Sequence, residues 1–447
     1  MSDDPILPPP THKSSNSDAT LSSIFDSSMC LQQTGSVLRF DEMTGTWVVF
    51  AAGRSNRPRQ TKSNDAIQLL EDLPPIVHDC PFCQGNEHMT PDVLFTRGSM
   101  RVVHNKYPAV DPMHRHPPHP SRGPPPPTPP PHRAVRSPML QRRRSNNMAD
   151  IATTAAEIHY ETPAVGFHEV VIESPFHNAH IATSPDVTHA LDLLVCFRER
   201  GRAHRAQYAE DGVEHTVYFK NHGATAGASL VHPHAQIVST PVVPVEAQRL
   251  QSLALAYFQK HNVSLYERIV EEEIHPHHHH PPPPFMEDVN SNPEDYGFGS
   301  AQNSSRMVDA SPHFVSMVPF AGPGPYVITI LPRFGAELMP DVDCSDFTST
   351  SDALLEECAD ILRKALQRLQ LLLHEPCFNL VVQSAPVGDR GVQAAFRAAT
   401  YFRWHIRITP RLGAGAMAGF ELGSGFFSNS HLPEQDAAEL RAVSLPE

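Results

Sequence analysis

Gly227-Ala228-Ser229-Leu230-Val231-His232-Pro233-His234-Ala235-Gln236-Ile237-Val238-Ser239-Thr240-Pro241 is the stretch on which the reading of this chain turns. Taken as a β-strand, it sends successive side chains to opposite faces. Val231, Pro233, Ala235 and Ile237 then form an apolar backing, and His232, His234 and Gln236 form a polar row on the other face. Pro233 has no N–H for a ladder bond, so the chain can bend there. Gly227-Ala228-Ser229 offers small residues and free backbone N–H groups, which suit the close approach of a phosphate. The chain has 28 histidines, so one His-x-His carries little weight alone. The alternation and the small-residue turn beside it give this one more.

Working outward, 447 residues are enough for two or three domains. Apolar residues make up 40% and charged residues 19%, which allows a sizeable core, while 45 prolines demand irregular segments. A formal net charge of -14 leaves no basic excess, so nucleic acid is not an expected partner. The seven cysteines are odd in number and scattered, which argues against a disulfide framework and for a reducing compartment. No secretory signal or membrane span is visible, so a cytoplasmic protein without a membrane partner is expected.

Residues 1–34 read as a disordered Pro/Ser-rich tail. Val37–Phe40 and Trp47–Phe50 flank a Gly-containing turn and read as a β-hairpin. Arg54, Arg57 and Arg59 follow at its exit, either as a solvated loop or as planar cationic forks for phosphate. Cys80-Pro81-Phe82-Cys83 is half of a tetrahedral zinc site or a redox pair. No helical pattern follows it, which weakens the redox reading. There is no second Cys-x-x-Cys, so any further ligands must be histidines.

Arg101–Pro108 reads as a strand running into a turn, and Gly166–Pro175 as a strand that ends in a turn, with His177 just beyond. Ser184-Pro185 looks like the cap and first residue of a helix to about Arg200, with Val187, Ala190, Leu191, Leu194 and Phe197 on one face. Thr216–Phe219 is a strand closed by Asn221-His222-Gly223, and Pro244 to about Lys260 is helical. In the second half, 314–319, 326–332, 378–383 and 401–410 read as strands. Asp352 to about His374 reads as an amphipathic helix. Two Pro/His-rich stretches, about 111–155 and 272–310, read as disordered insertions. Both halves run strand, strand, helix, strand, then a His-bearing strand, and His405 stands where His234 stands. The expected organisation is α+β: tandem halves over 35–245 and 246–447, each an antiparallel sheet with packed helices, with only the first keeping the full polar row.

Cys80-Pro81-Phe82-Cys83, Glu173-Ser174-Pro175-Phe176-His177 and His-Pro-His-x-Gln together resemble the galactose-1-phosphate uridylyltransferase family of the histidine-triad superfamily, which includes plant-type ADP-glucose phosphorylases. The resemblance spans about Val37 to Leu445 outside the insertions. It implies two histidine-triad-like halves and a homodimer. It implies that Cys80, Cys83, His177 and His232 hold a structural Zn²⁺. It implies that His234 is the nucleophile that takes a nucleotidyl group from a nucleotide sugar and passes it to a sugar 1-phosphate or inorganic phosphate. Gln236 matches the residue that holds the α-phosphate. Its presence, where the hydrolase branches have His, favours transfer between phosphates. Arg54, Arg57, Asn105, Asn221, Gly227 and Ser229 match positions near the nucleotide and its phosphates. Gly419–Gly425 resembles the family's C-terminal signature. UDP-glucose–hexose-1-phosphate uridylyltransferase is the leading activity and ADP-glucose phosphorylase the alternative; an idle binding protein is disfavoured by the intact His234 and Gln236. The family often has His-Trp-His-Ile-Glu where this chain has Arg403-Trp404-His405-Ile406-Arg407, which counts against a second metal site.

Overall fold

The computed structural model describes residues 37–50, 72–110, 164–207, 213–274, 305–333, 342–387, 397–412 and 419–446. The N-terminal tail, the 111–155 insertion, and Arg54, Arg57 and Arg59 lie outside them.

The fold is α+β, with antiparallel sheets as its frame. A hairpin of β1 (Val37–Asp41) and β2 (Thr46–Phe50) forms as read, and its turn is tied by Gly45 N–H to Asp41 O at 2.6 Å. The strands that follow are β3 (Val93–Arg97), β4 (Met100–His104), β5 (Phe167–Ile172), β6 (His215–His222) and β7 (His234–Thr240). Then come β8 (Met307–Ala310), β9 (Phe314–Met317), β10 (Ile328–Pro332), β11 (Phe378–Gln383), β12 (His405–Pro410) and β13 (Phe427–Asn429). The helices are α1 (Thr188–Gln207), α2 (Val245–His261), α3 (Leu265–Ile274), α4 (Asp352–Leu373), α5 (Ala398–Tyr401), α6 (Gly419–Ser424) and α7 (Pro433–Ala442).

Ten strands form one sheet in the order β3-β4-β5-β7-β6-β11-β12-β10-β9-β8. Residues 93–240 supply β3, β4, β5, α1, β6 and β7; residues 307–410 supply β8, β9, β10, α4, β11 and β12 in the same order. The two sets meet where β6 pairs antiparallel with β11, Asn221 opposite Asn379 and Phe219 opposite Val381. Long helices α1 and α4 lie together on one face. Leu194 and Phe197 of α1 and Leu355, Ile361 and Leu362 of α4 bury against Ile237, Leu380 and Ile406 of the sheet as one cluster. On the second set of strands, α2 and α3 cover the opposite face, burying Leu250, Leu255, Tyr266 and Val270 against Val315, Met317 and Leu331. Phe314 and Val315 fall in different clusters because adjacent strand residues point to opposite faces. Among the described residues, no helix is long and apolar enough to cross a membrane.

Several elements depart from the sequence reading. Strand β7 starts at His234, and Val231 is 58% exposed, so the expected apolar backing loses Val231, while Pro233, Ala235 and Ile237 are buried. The cause is the missing N–H of Pro233: its carbonyl accepts from Glu173 N–H (3.2 Å), and the chain bends before the ladder begins. Helix α1 starts at Thr188, where Asp186 Oδ1 accepts the Thr188 N–H (2.8 Å); Ser184 instead ends a 3-10 turn, Ile181–Thr183. Asn221 and His222 belong to β6, and Gly223, at φ +81°, makes the turn. Tyr401 ends a short helix and the strand opens at His405. The stretch 272–310 is not wholly irregular: α3 runs to Ile274, and β8 begins at Met307. Both unforeseen outer strands, β3 and β8, are short and bulged, which is how sheet edges are commonly blunted.

Leu380, fully buried on β11 beside the β6 seam, touches the core shared by α1 and α4. Leu380→Ala should cost about 2–5 kcal/mol and shift a single urea transition; two transitions with only one displaced would contradict a shared core.

Candidate active site

The Cys80-Pro81-Phe82-Cys83 loop is closed by its own backbone. Cys83 N–H donates to Cys80 O (3.3 Å), and the Asn86 amide donates to His78 O and Cys80 O (both 2.8 Å). The loop after β5 is stitched to it: Gln84 N–H donates to Pro175 O (3.0 Å), and His177 N–H to Pro75 O (2.7 Å). His232 comes from the bend before β7. Its Nε2–H donates to Ser174 O (2.9 Å), which leaves Nδ1 with a lone pair. That Nδ1 lies 3.6 Å from Cys80 Sγ and 3.5 Å from Cys83 Sγ, and His177 Nδ1 lies 3.5 Å from Cys83 Sγ. All four ligand atoms fall within 4.8 Å of one another. A tetrahedral ion with metal–sulfur bonds near 2.3 Å and metal–nitrogen bonds near 2.05 Å requires S···N edges of about 3.6 Å. The observed edges fit it, so this Cys₂His₂ cluster can hold a metal ion. Burial lowers the basicity of His177 and brings His232 down to about 4, so both are neutral ligands at pH 7. Burial pushes the Cys83 thiol up, which favours the protonated form; an ion in the cluster would act against this by binding the thiolate.

His234, nearly buried, begins β7. Its Nδ1 lies 2.9 Å from His232 O. A carbonyl can only accept, so Nδ1 carries the hydrogen and Nε2 the lone pair. Burial lowers the basicity of this ring as well, which keeps it neutral. Phe82, between the two cysteines, sets its ring against those of His234 (5.4 Å between centroids) and His232 (5.8 Å), over Val103, Val170 and Ile172. Two places along the same face of β7, Gln236 Oε1 lies 2.9 Å from His168 Nε2, and Asn105 Nδ2 lies 3.0 Å from that same ring nitrogen. Behind the site, Glu173 is buried and paired with Lys220 Nζ (2.5 Å) and His189 Nε2 (3.3 Å). Burial alone would raise its pKa; Lys220 and His189 outweigh that and hold it at about 2.

Between β6 and β7, Gly227 takes φ +89° and Ser229 is exposed. A Cβ on Gly223 would sit 2.1 Å from Cys377 Sγ, so that turn also requires glycine. Asn221 Oδ1 accepts from Asn379 Nδ2 (2.8 Å), which also donates to Ala226 O (2.8 Å). Asn379 comes from the second set of strands.

No protein-family model matches the chain. An ADP-glucose phosphorylase of Arabidopsis thaliana is 27% identical over 418 residues, 91% of this chain and 93% of that one. A galactose-1-phosphate uridylyltransferase of Thermotoga maritima is 22% identical over 91% of this chain and 98% of its own. The solved ADP-glucose phosphorylase of Arabidopsis thaliana with bound ADP-glucose superposes with a TM-score of 0.63 at 24% identity, covering 92% of this chain and all of that one. A solved uridylyltransferase gives 0.55 at 21% identity, covering 91% of this chain and 98% of its own. Over nine-tenths of its length the chain is similar to enzymes of the galactose-1-phosphate uridylyltransferase family. These homologues indicate a nucleotidyltransferase of carbohydrate metabolism.

Of the residues singled out in the sequence, Cys80, Cys83, His177 and His232 converge. His234 and Gln236 share a face beside them, with Asn105 reaching Gln236 through His168. Asn221, Gly227 and Ser229 line the neighbouring turn, and Arg54 and Arg57 lie outside the described residues. The signature near 419–425 forms α6, with Phe420 and Leu422 exposed. Phe82, His168 and Asn379 were not singled out; their strand or turn positions were visible, their partners were not. In the second set of strands His405 repeats the local bond of His234, with Nδ1 3.0 Å from Arg403 O. It is buried between Tyr266 and Phe402, and Arg403 pairs with Glu267. Among the described residues, no second group of metal-ligating side chains forms.

Cys80→Ser should lower bound metal and melting temperature together, read by metal analysis and calorimetry; unchanged metal content would refute the ligand assignment. Because Glu173 is depressed from 4.5 to about 2, the stability it contributes is complete above pH 4.5 and is lost as pH falls toward 2. Lys220→Met should cost about 3–5 kcal/mol at neutral pH and flatten that part of the stability–pH curve, measured by urea titration.

Proposed function

We propose that this chain transfers a nucleoside monophosphate by a ping-pong route through nucleotidylated His234. The observation that carries this is the bond from His234 Nδ1–H to His232 O (2.9 Å), which leaves a neutral Nε2 lone pair as nucleophile. Nε2 attacks the α-phosphorus of a nucleotide sugar. The bond from that phosphorus to the bridging oxygen breaks, and the sugar 1-phosphate leaves with the electron pair. An oxygen of an incoming phosphate then attacks the same phosphorus, the P–N bond breaks, and the ring recovers its lone pair. His232 O stabilises the positive charge that the ring carries while modified. Gln236 presents hydrogen-bond donors where charge grows on the phosphoryl oxygens. A phosphate leaving group needs no general acid, which suits a carboxamide there.

Cys80, Cys83, His177 and His232 would hold Zn²⁺, which supplies structural bracing and no open position for chemistry. Asn105, Asn221, Gly227 and Ser229, with Arg54 and Arg57, would face the nucleotide and its phosphates.

The greater similarity to the Arabidopsis ADP-glucose phosphorylase than to the Thermotoga uridylyltransferase supports ADP-glucose as donor and inorganic phosphate as acceptor, ahead of uridylyl transfer between hexose 1-phosphates. This reverses the order of the two donors expected from the motifs. The uridylyl reading keeps its support in the shared His-Pro-His-x-Gln run.

Intact-protein mass after brief incubation with ADP-glucose, and separately with UDP-glucose, tests both. An adenylyl adduct absent from His234→Ala is expected. A uridylyl adduct in its place would select the other donor, and no adduct with either would remove the covalent route.

A further inference from the structure

We propose that His168 is a positioning residue that fixes which end of the Gln236 carboxamide faces the donor's α-phosphate; this rests on the nucleotidyl-transfer reading above. Hydrogen positions decide it. Ala109 N–H donates to His168 Nδ1 at 2.9 Å. A backbone N–H cannot accept, so Nδ1 holds the lone pair, and a neutral ring then carries its hydrogen on Nε2. That Nε2 lies 2.9 Å from the Gln236 carboxamide, and its N–H requires an oxygen there. Gln236 Oε1 therefore faces His168, and its NH₂ faces the open side of the site. The reversed carboxamide would set donor against donor. A terminal amide torsion is soft and roughly two-fold, so without the ring nothing on the strand itself favours either orientation.

Asn105 adds a second amide beside the same ring nitrogen, though it makes no hydrogen bond to an Nε2 that carries the hydrogen. Its Oδ1 accepts the Tyr107 N–H (2.8 Å), which turns its NH₂ toward His168 Nε2 at 3.0 Å. That nitrogen already donates to Gln236, so the Asn105 amide is a donor still in need of an acceptor. Asn105 N–H also donates to His168 O (2.9 Å), which fixes the loop against β5. The Asn105 NH₂ thus lies beside the imidazole and the Gln236 NH₂ points away from it, both on the face that carries His234. Anionic phosphoryl oxygens satisfy such a surplus of donors. With the carboxamide reversed, its oxygen would oppose the charge that grows on phosphorus-bound oxygen during attack. The effect falls on the chemical step more than on donor binding.

Gln and Glu have nearly the same shape and differ in whether they can donate. His168→Gln keeps an N–H group within reach of Gln236 Oε1, whereas His168→Glu puts an acceptor there and reverses the amide. The readout is the single-turnover rate of adduct formation on His234 with ADP-glucose or UDP-glucose, whichever labels the wild type, across donor concentration. His168→Gln should stay near the wild-type rate. His168→Glu should lose about 10²-fold, the scale of one misplaced transition-state donor, with little change in the half-saturating concentration. His168→Phe, which removes the preference without reversing it, should lose only a few-fold, and His168→Glu should lose nothing further in a Gln236→Ala background, because the two act as a unit. Equal rates for the Gln and Glu variants, or additive losses in the double variant, would overturn the proposal. A wild type that takes no label from either donor would overturn the nucleotidyl-transfer reading and this proposal with it, an outcome distinct from a labelled wild type with indifferent variants.

Discussion

His232 has both ring nitrogens and its carbonyl committed, and the rest of the site is arranged around those commitments. The Nε2–H is held by Ser174 O, so only Nδ1 can face Cys80 and Cys83. Its carbonyl takes the Nδ1–H of His234, so the lone pair of the neutral His234 ring is on Nε2. Two residues of backbone join the cluster to the His234 ring, and Pro233 between them keeps the bend from joining the ladder. An ion in the cluster would therefore set the position of a lone pair it never touches.

The second set of strands shows the same local bond without the chemistry. His405 bonds Arg403 O just as His234 bonds His232 O. There, however, α3 supplies Tyr266, and the ring is sealed, with burial lowering it to about 3. Arg403 occupies the position of His232 and is neutralised by Glu267, so the place of a ligand is taken by an ion pair. The hydrogen bond that opens the strand is a structural device. In the first set the same bond sits beside the Cys₂His₂ cluster.

Charge is distributed by face. On the helix side of β5, Glu169 is buried with Arg200 and His204, and Glu173 with Lys220 and His189. These anions are matched, and each pair of partners outweighs the penalty of burial, holding both carboxylates at about 2. On the opposite side, among the described residues around His234, stand the carboxamides of Asn105 and Gln236, the imidazoles of His168 and His234, and the Arg101 guanidinium, which donates to Phe82 O (3.0 Å).

What the sequence determined by itself was local. Period-two alternation placed Ala235 and Ile237 inward and His234 and Gln236 outward, the Cys-x-x-Cys spacing marked a ligand loop, and the order of elements predicted an α+β chain. These rest on neighbours a few residues apart, where sterics and turn chemistry act. The tertiary structure decided the rest. That Cys80 meets His232 is a contact across 152 positions, and that Gln236 meets His168 is one across 68. Asn379 reaches Asn221 across 158, through a strand seam with no local signature. Which nitrogen of His168, His232 or His234 carries the hydrogen depends on the group placed opposite it, and chain packing alone brings most of those groups there.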